Sequence, residues 1–253
     1  MNNQVDIDII IPVYNSQKFI KKAIDSVLKQ SFKNWRLIIV DDASTDDTLK
    51  ILEKIRGKLE FKRKIIILKN NINMGQAFSR NRGLKHSSSK FITFLDSDDF
   101  WDKNKLKKQL KFMVNNNYDF TYTDYKIIKN NQIKKITVPE FFNYKKFIYN
   151  SSINTCSMIL KKKIIKNIFF KDLRFSEDYF FKCQILRKGY IAHKCHGSYA
   201  YYLLRNDSLQ SNRLSVFFSL WTINKNLNKM KFLQNVTSIF FIIFNSFKKY
   251  GFR

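Results

Sequence analysis

An α/β fold, a mostly parallel sheet flanked by helices, is what this sequence predicts, and three observations carry the prediction. Four short apolar runs rich in β-branched residues each lead into a segment with helical spacing. Acidic and polar residues gather just past those runs, where a parallel sheet opens to ligands. Hydrophobic residues make up 44% of the 253, enough for a sizeable core and too many for a disordered chain.

Residues 7–13 read as a buried strand, with Pro12 near its end, where a ladder donor can be lost. Asn15 and Ser16 are expected to cap a helix carrying Phe19, Ile20, Ala23, Ile24, Val27 and Leu28. Residues 35–40 form a second strand that ends in Asp41 and Asp42, and a helix follows with Leu49, Leu52 and Ile55 on one face. Residues 64–68 form a third strand. A third helix opens after Asn73-Met-Gly75, carries Arg80 and Leu84, and is expected to end near Gly83. The fourth strand, residues 91–95, ends in Asp96, Asp98 and Asp99. Asp102 is expected to cap the next helix, which carries Leu106, Leu110 and Met113. Such β-α-β alternation gives right-handed crossovers and places Pro12, Tyr14, Asn15, Asp41, Asp42 and the three later acids at one rim.

Beyond the strand-like residues 120–124 the alternation stops. A hairpin turn is expected at 129–133, a strand at 153–160, a helix from Phe175 to Gly189, and a strand at 199–204. This mixed α+β half should form the second wall of the crevice. From Leu214 the chain turns basic and amphipathic, with Ile223, Leu227, Met230, Val236, Ile239, Ile243 and Phe247 at helical spacing. Packing on the domain and peripheral contact with an anionic membrane are the two readings of that tail, and membrane contact is the favoured one.

Asp-x-Asp at a strand end suits a hard divalent cation, Mg²⁺ or Mn²⁺, although acids in that position also serve as helix caps. The net charge of +27 calls for an anionic partner, yet the lysines are dispersed and no nucleic-acid-reading signature is present. Three cysteines without C-x-x-C spacing fit reduced thiols. No signal peptide is visible, and the apolar run at 239–244 falls far short of the roughly 18 residues a span needs. A cytoplasmic protein, peripheral on the cytoplasmic face of a membrane, is the expectation.

With those residues in view, the chain resembles the family 2 glycosyltransferases of bacterial surface-polysaccharide type, inverting enzymes with a GT-A-like, Rossmann-type fold. The matching segments are Ile10-Ile-Pro-Val-Tyr-Asn15, Val40-Asp-Asp-Ala-Ser-Thr-Asp-Asp-Thr48, Asn73-Met-Gly-Gln-Ala-Phe-Ser-Arg-Asn-Arg-Gly-Leu84 and Phe94-Leu-Asp-Ser-Asp-Asp99. Glu177-Asp178 before an aromatic helix, and Tyr201-Tyr-Leu-Leu-Arg205 followed by Ser208 and Ser211, complete the order. Ser79 stands where the family often has Ala, and Lys103 where it often has Pro. The resemblance covers residues 7–213 and implies a nucleotide-binding half (1–125), an acceptor half (126–213) and an extension (214–253) outside the shared pattern.

The resemblance implies roles as well. Asp42 would accept from the nucleobase, with Pro12, Tyr14, Asn15 and Asp41 in the same pocket. Asp96 and Asp98 would meet the donor, Asp98 and Asp99 the divalent cation, Arg80 the diphosphate or the sugar, and Arg205 the donor phosphate or a structural turn. Asp178 would be the general base. The donor would be a nucleotide sugar, with a UDP-sugar favoured, and the acceptor a glycan or lipid-linked hydroxyl. A nucleotidyltransferase of similar fold and a non-enzymatic basic binder remain as alternatives, the first weakened by Pro-Val-Tyr-Asn-Ser where a Gly-rich loop is usual.

Overall fold

The computed structural model describes residues 6–58, 64–205 and 213–250. Strand β1 (Ile7–Val13) leads to helix α1 (Ile20–Leu28), β2 (Trp35–Asp41), α2 (Thr48–Arg56), β3 (Ile65–Lys69), α3 (Gln76–His86) and β4 (Phe91–Phe94). Then come β5 (Phe100–Trp101), α4 (Lys105–Asn115), β6 (Phe120–Lys129), β7 (Gln132–Ile136), β8 (Phe141–Phe142) and α5 (Tyr144–Phe147). A 3-10 turn (Thr155–Ser157) precedes β9 (Ile159–Lys161), α6 (Glu177–Arg187) and β10 (Ala192–Leu203). The tail folds as α7 (Arg213–Thr222), a π-turn (Ile223–Leu227) and α8 (Phe232–Tyr250).

Among the described residues, all ten strands join one sheet in the order β3-β2-β1-β4-β9-β6-β10-β5, with β7 beside β6 and β8 beside β10. The β3-β2-β1-β4 part is parallel throughout, whereas β9 runs antiparallel to both β4 and β6. Ile7, Ile9, Ile10 and Ile11 are wholly buried, as strands covered by helices on both faces require. The expected α/β architecture, with a mixed second half and a helical tail, is what the structure has.

Several local expectations change. Ser16 does not cap α1 through its side chain: its Oγ bonds Tyr14 O and Ser97 Oγ, and α1 begins at Ile20. Asn15 Oδ1 instead accepts from Thr45 N at 2.8 Å, tying the loop after β1 to the loop after β2. Asp102 Oδ1 accepts from Asn104 N, so it shapes the turn ahead of α4, and Asn104 occupies the cap position. The strand expected at 153–160 is only Ile159–Lys161, because Asn154 Oδ1 accepts from Cys156 N and winds Thr155–Ser157 into the 3-10 turn. The expected hairpin is present, with Asn130 and Asn131 both at positive φ between β6 and β7. Gly189, at φ +89°, follows α6 as a C′ glycine should.

Gly83 does not end α3, which continues to His86. It lies on the face packed against β1, and a Cβ there would sit 2.5 Å from Ile10 Cγ2. Gly83→Ala should therefore cost about 1–3 kcal/mol through forced displacement of a core isoleucine, read as a lowered denaturant midpoint at unchanged m.

Candidate active site

The crevice lies past the carboxyl ends of β1, β2 and β4, and three non-glycine residues around it take left-handed backbone: Asn15 (φ 43°), Ala43 (φ 61°) and Ser176 (φ 59°). Side chains pay a steric cost in that region, and such residues cluster where a loop must hold an exact course.

The two aspartates after β2 have different surroundings. Asp42 accepts from Asn70 Nδ2 (2.6 Å), Met74 N (2.9 Å) and Gly75 N (2.7 Å), so both its oxygens hold the loop that opens α3. Asp41 is equally buried, but its Oδ1 has no hydrogen-bond partner among the described residues. A buried carboxylate oxygen left open is costly unless a ligand donor meets it. Pro12 is buried in β1 beside Val40, while Tyr14 stands 46% exposed at the rim.

The three acids after β4 also diverge. Asp96 Oδ1 accepts from Arg80 Nη2 at 2.7 Å. Asp98 Oδ2 pairs with Arg205 Nε at 3.2 Å. Asp99 is buried, with Oδ1 accepting from Leu203 N and Oδ2 from Cys156 Sγ, each at 2.9 Å. Burial, and then the charges of Asp96 and Asp98, push the Asp99 carboxyl well above its usual range. Burial likewise pushes the Cys156 thiol up, so it stays a protonated donor. Ligand-type atoms of Asp96, Asp99 and Cys156 lie within 4.8 Å of one another, so Asp96 joins the expected Asp99 in this cluster, while Asp98, the other expected ligand, is not part of it. Crowded carboxylate oxygens whose mutual repulsion raises a pKa are a donor set that fits a hard divalent cation.

Arg80 sits between the loop after β4 and the start of α6, 2% exposed. Its Nη1 donates to Glu177 Oε1 and its Nη2 to Asp96 Oδ1, both at 2.7 Å, and its guanidinium lies over the Phe170 ring. Burial works against its charge, but the two carboxylates outweigh burial and hold its pKa above the ordinary value. Expected as a phosphate contact, Arg80 is placed as a strut between two protein acids.

Asp178 lies on the first turn of α6, its side chain 32% exposed. Its Oδ2 accepts from Lys182 Nζ (2.6 Å) and Thr155 Oγ1 (2.9 Å), and Lys182 Nζ also donates to Thr155 Oγ1 (3.0 Å), closing a triangle. Burial alone would raise the Asp178 pKa. The Lys182 ammonium overrides burial, Arg80 assists, and the carboxyl falls to about 2. Asp178 is therefore fully ionised at neutral pH.

Thr155, Cys156 and Lys182 were not picked out by the sequence reading, and Lys182 alone left a trace there, as the i+4 neighbour of Asp178. Ser208 and Ser211 lie outside the described residues. The three cysteines are free and buried, as expected of reduced thiols.

A depressed carboxylate adds stability that is complete above the unfolded-state value near 4 and is lost as pH falls toward the folded value of about 2. In Lys182→Met the Asp178 titration should move up by roughly 1–3 units, and the acid loss of stability should begin at correspondingly higher pH. Carboxyl-carbon NMR titration of wild type against the variant reads the shift directly.

Similarity to known proteins agrees with this geometry. Residues 8–180 match Glycosyl transferase family 2. The chain is 36% identical over 220 residues to the UDP-Glc:alpha-D-GlcNAc-diphosphoundecaprenol beta-1,3-glucosyltransferase WfgD of Escherichia coli, covering 86% of this chain and 84% of that relative. It is 31% identical over 231 residues to the putative teichuronic acid biosynthesis glycosyltransferase TuaG of Bacillus subtilis (strain 168), covering 90% of each. The crystal structure of S. aureus TarS 1–349 in complex with UDP-GlcNAc superposes with a TM-score of 0.74 at 23% identity, over 96% of this chain and 73% of that one, and so shares the fold. An acid-lined crevice at the ends of a parallel sheet, a family match across two-thirds of the length and relatives aligned nearly end to end agree: the chain belongs to glycosyl transferase family 2.

Proposed function

We propose that this glycosyltransferase moves a sugar, with inversion, from a UDP-sugar to a hydroxyl of a glycan carried on a polyprenyl diphosphate at the cytoplasmic membrane face. The observation that carries the reading is Asp178, a carboxylate held ionised at the crevice wall opposite the acids that follow β4. The names of WfgD and TuaG support the choice of substrates and a place in surface-polysaccharide assembly.

Asp41 is the residue we assign to the nucleobase. Its open Oδ1 is an acceptor, so it suits the ring N–H of uracil. Asp42, expected in that role, instead braces the loop at Gly75 through its three accepted bonds. Tyr14 offers an exposed ring at the same rim.

A divalent cation, held by Asp98 and Asp99 with Asp96 alongside, would neutralise the charge gained by the departing diphosphate. Asp178 takes the proton of the acceptor hydroxyl as that oxygen bonds to the anomeric carbon and the carbon–oxygen bond to the diphosphate breaks. One carboxylate on the acceptor side gives a single displacement and therefore inversion. Lys182 and Thr155 fix the Asp178 carboxylate for the attack, and the Arg80 strut fixes α6 against the acids after β4.

Asp178→Asn should lower transfer by roughly 10²- to 10⁴-fold while UDP binding persists. Asp41→Asn should weaken UDP binding by roughly ten- to a hundredfold, the worth of one charge-assisted hydrogen bond. Calorimetry with UDP, GDP and ADP beside a donor-turnover assay separates the two. Unchanged UDP affinity in Asp41→Asn would remove the base-reading assignment.

A further inference from the structure

Helices α7 and α8 have two faces of opposite character. The inner face is bound to the domain: Ile223, Met230, Ile239 and Ile242 are buried. Tyr179 Oη donates to Asn224 Oδ1 at 2.8 Å, and Ser238 Oγ donates to Ile148 O at 2.6 Å. The outer face presents Leu214, Phe218, Phe232, Leu233, Phe240 and Phe244, each 46% to 75% exposed.

These residues are not scattered. Leu214 and Phe218 are one turn apart, Phe240 and Phe244 stack one turn apart (interplanar angle 8°), and a Trp221–Phe232 ring contact joins the two helices. Single exposed apolar residues are ordinary, but a continuous row along a helix pair is not. Lys225, Lys229, Lys231 and Lys248 are exposed on the same segment, and residues 213–250 contain no Asp or Glu.

We propose that the outer face of α7 and α8 seats the protein on an anionic phospholipid bilayer, with the aromatic row entering the headgroup boundary and the lysines meeting lipid phosphates. An interfacial helix has this residue pattern. Charge decides the occupant. A second copy would set lysines against lysines with no acid between them, whereas anionic lipid supplies the missing counter-charge. The location fits as well. The row borders a cleft of about 370 Å³ lined by Lys171, Arg174, Phe175 and Phe218, and Ser219 Oγ donates to Phe175 O at 2.8 Å. Phe175 lies three positions before Asp178, so the face borders the acceptor side of the crevice. This docking does not depend on which sugar is transferred.

The test is flotation of the full chain with vesicles of phosphatidylcholine alone and of phosphatidylcholine containing phosphatidylglycerol. Wild type should float with the anionic vesicles and not with the neutral ones. Phe218→Ser/Phe240→Ser/Phe244→Ser should reduce binding by roughly tenfold or more, because each apolar side chain taken from the boundary lowers membrane affinity. Lys225→Gln, Lys229→Gln and Lys231→Gln should each reduce it about fivefold. UDP binding without vesicles should be unchanged in all of them, which shows that they fold. Three results would overturn the proposal: no flotation of wild type, equal flotation of wild type and the aromatic variant, or a wild-type dimer that the aromatic variant turns into a monomer.

Discussion

A single buried guanidinium sets the relation between the two walls of this enzyme. Arg80 projects from α3 and bonds Asp96, at the end of β4, and Glu177, at the start of α6, both at 2.7 Å. Asp96 is 16 residues away in sequence and Glu177 is 97. Removing one member of so buried a cluster leaves an uncompensated charge, which typically costs 3–5 kcal/mol. Burial and the neighbouring Asp178 push Glu177 up against the pull of Arg80, so the arrangement holds only while all its parts are present. Placement of the acid-rich loop after β4 and placement of the first turn of α6, which carries Asp178, thus follow from one side chain.

The 3-10 turn at Thr155–Ser157 makes a second bridge across the same gap. Thr155 donates to Asp178, and the adjacent Cys156 donates to Asp99 and accepts from Asp96 N. Trp101 Nε1 anchors the turn by donating to Cys156 O at 2.9 Å. Neighbouring residues therefore position a carboxylate on each side of the crevice. Such support matters because displacement chemistry depends steeply on how the reacting groups are placed.

The tail extends this division of labour outward. Its inner face is specified by buried polar bonds that apolar packing alone would not supply, such as Tyr179 Oη to Asn224. Its outer face is left apolar and cationic. No helix among the described residues is long and apolar enough to cross a membrane.

The local sequence determined a good deal. Alternating apolar runs and helical periodicity are short-range signals, and they gave the β-α-β order, the acids at the strand ends and the amphipathic tail. Residue type at the strand ends pointed to Asp41, Asp42, Asp96, Asp98 and Asp99, and the family resemblance pointed to Asp178. Tertiary structure alone decided what each of them is free to do. Asp41 and Asp42 are adjacent and identical in sequence, yet Asn70, Met74 and Gly75 occupy the oxygens of Asp42 and leave Asp41 Oδ1 open. Arg80 reads as a phosphate ligand until Glu177 reaches it from 97 residues away. Gly83 reads as a helix end until Ile10 is packed against it. The physical reason is common to all three: the availability of a hydrogen-bonding atom, or of space, depends on partners distant in the chain, and only folding brings those partners into contact.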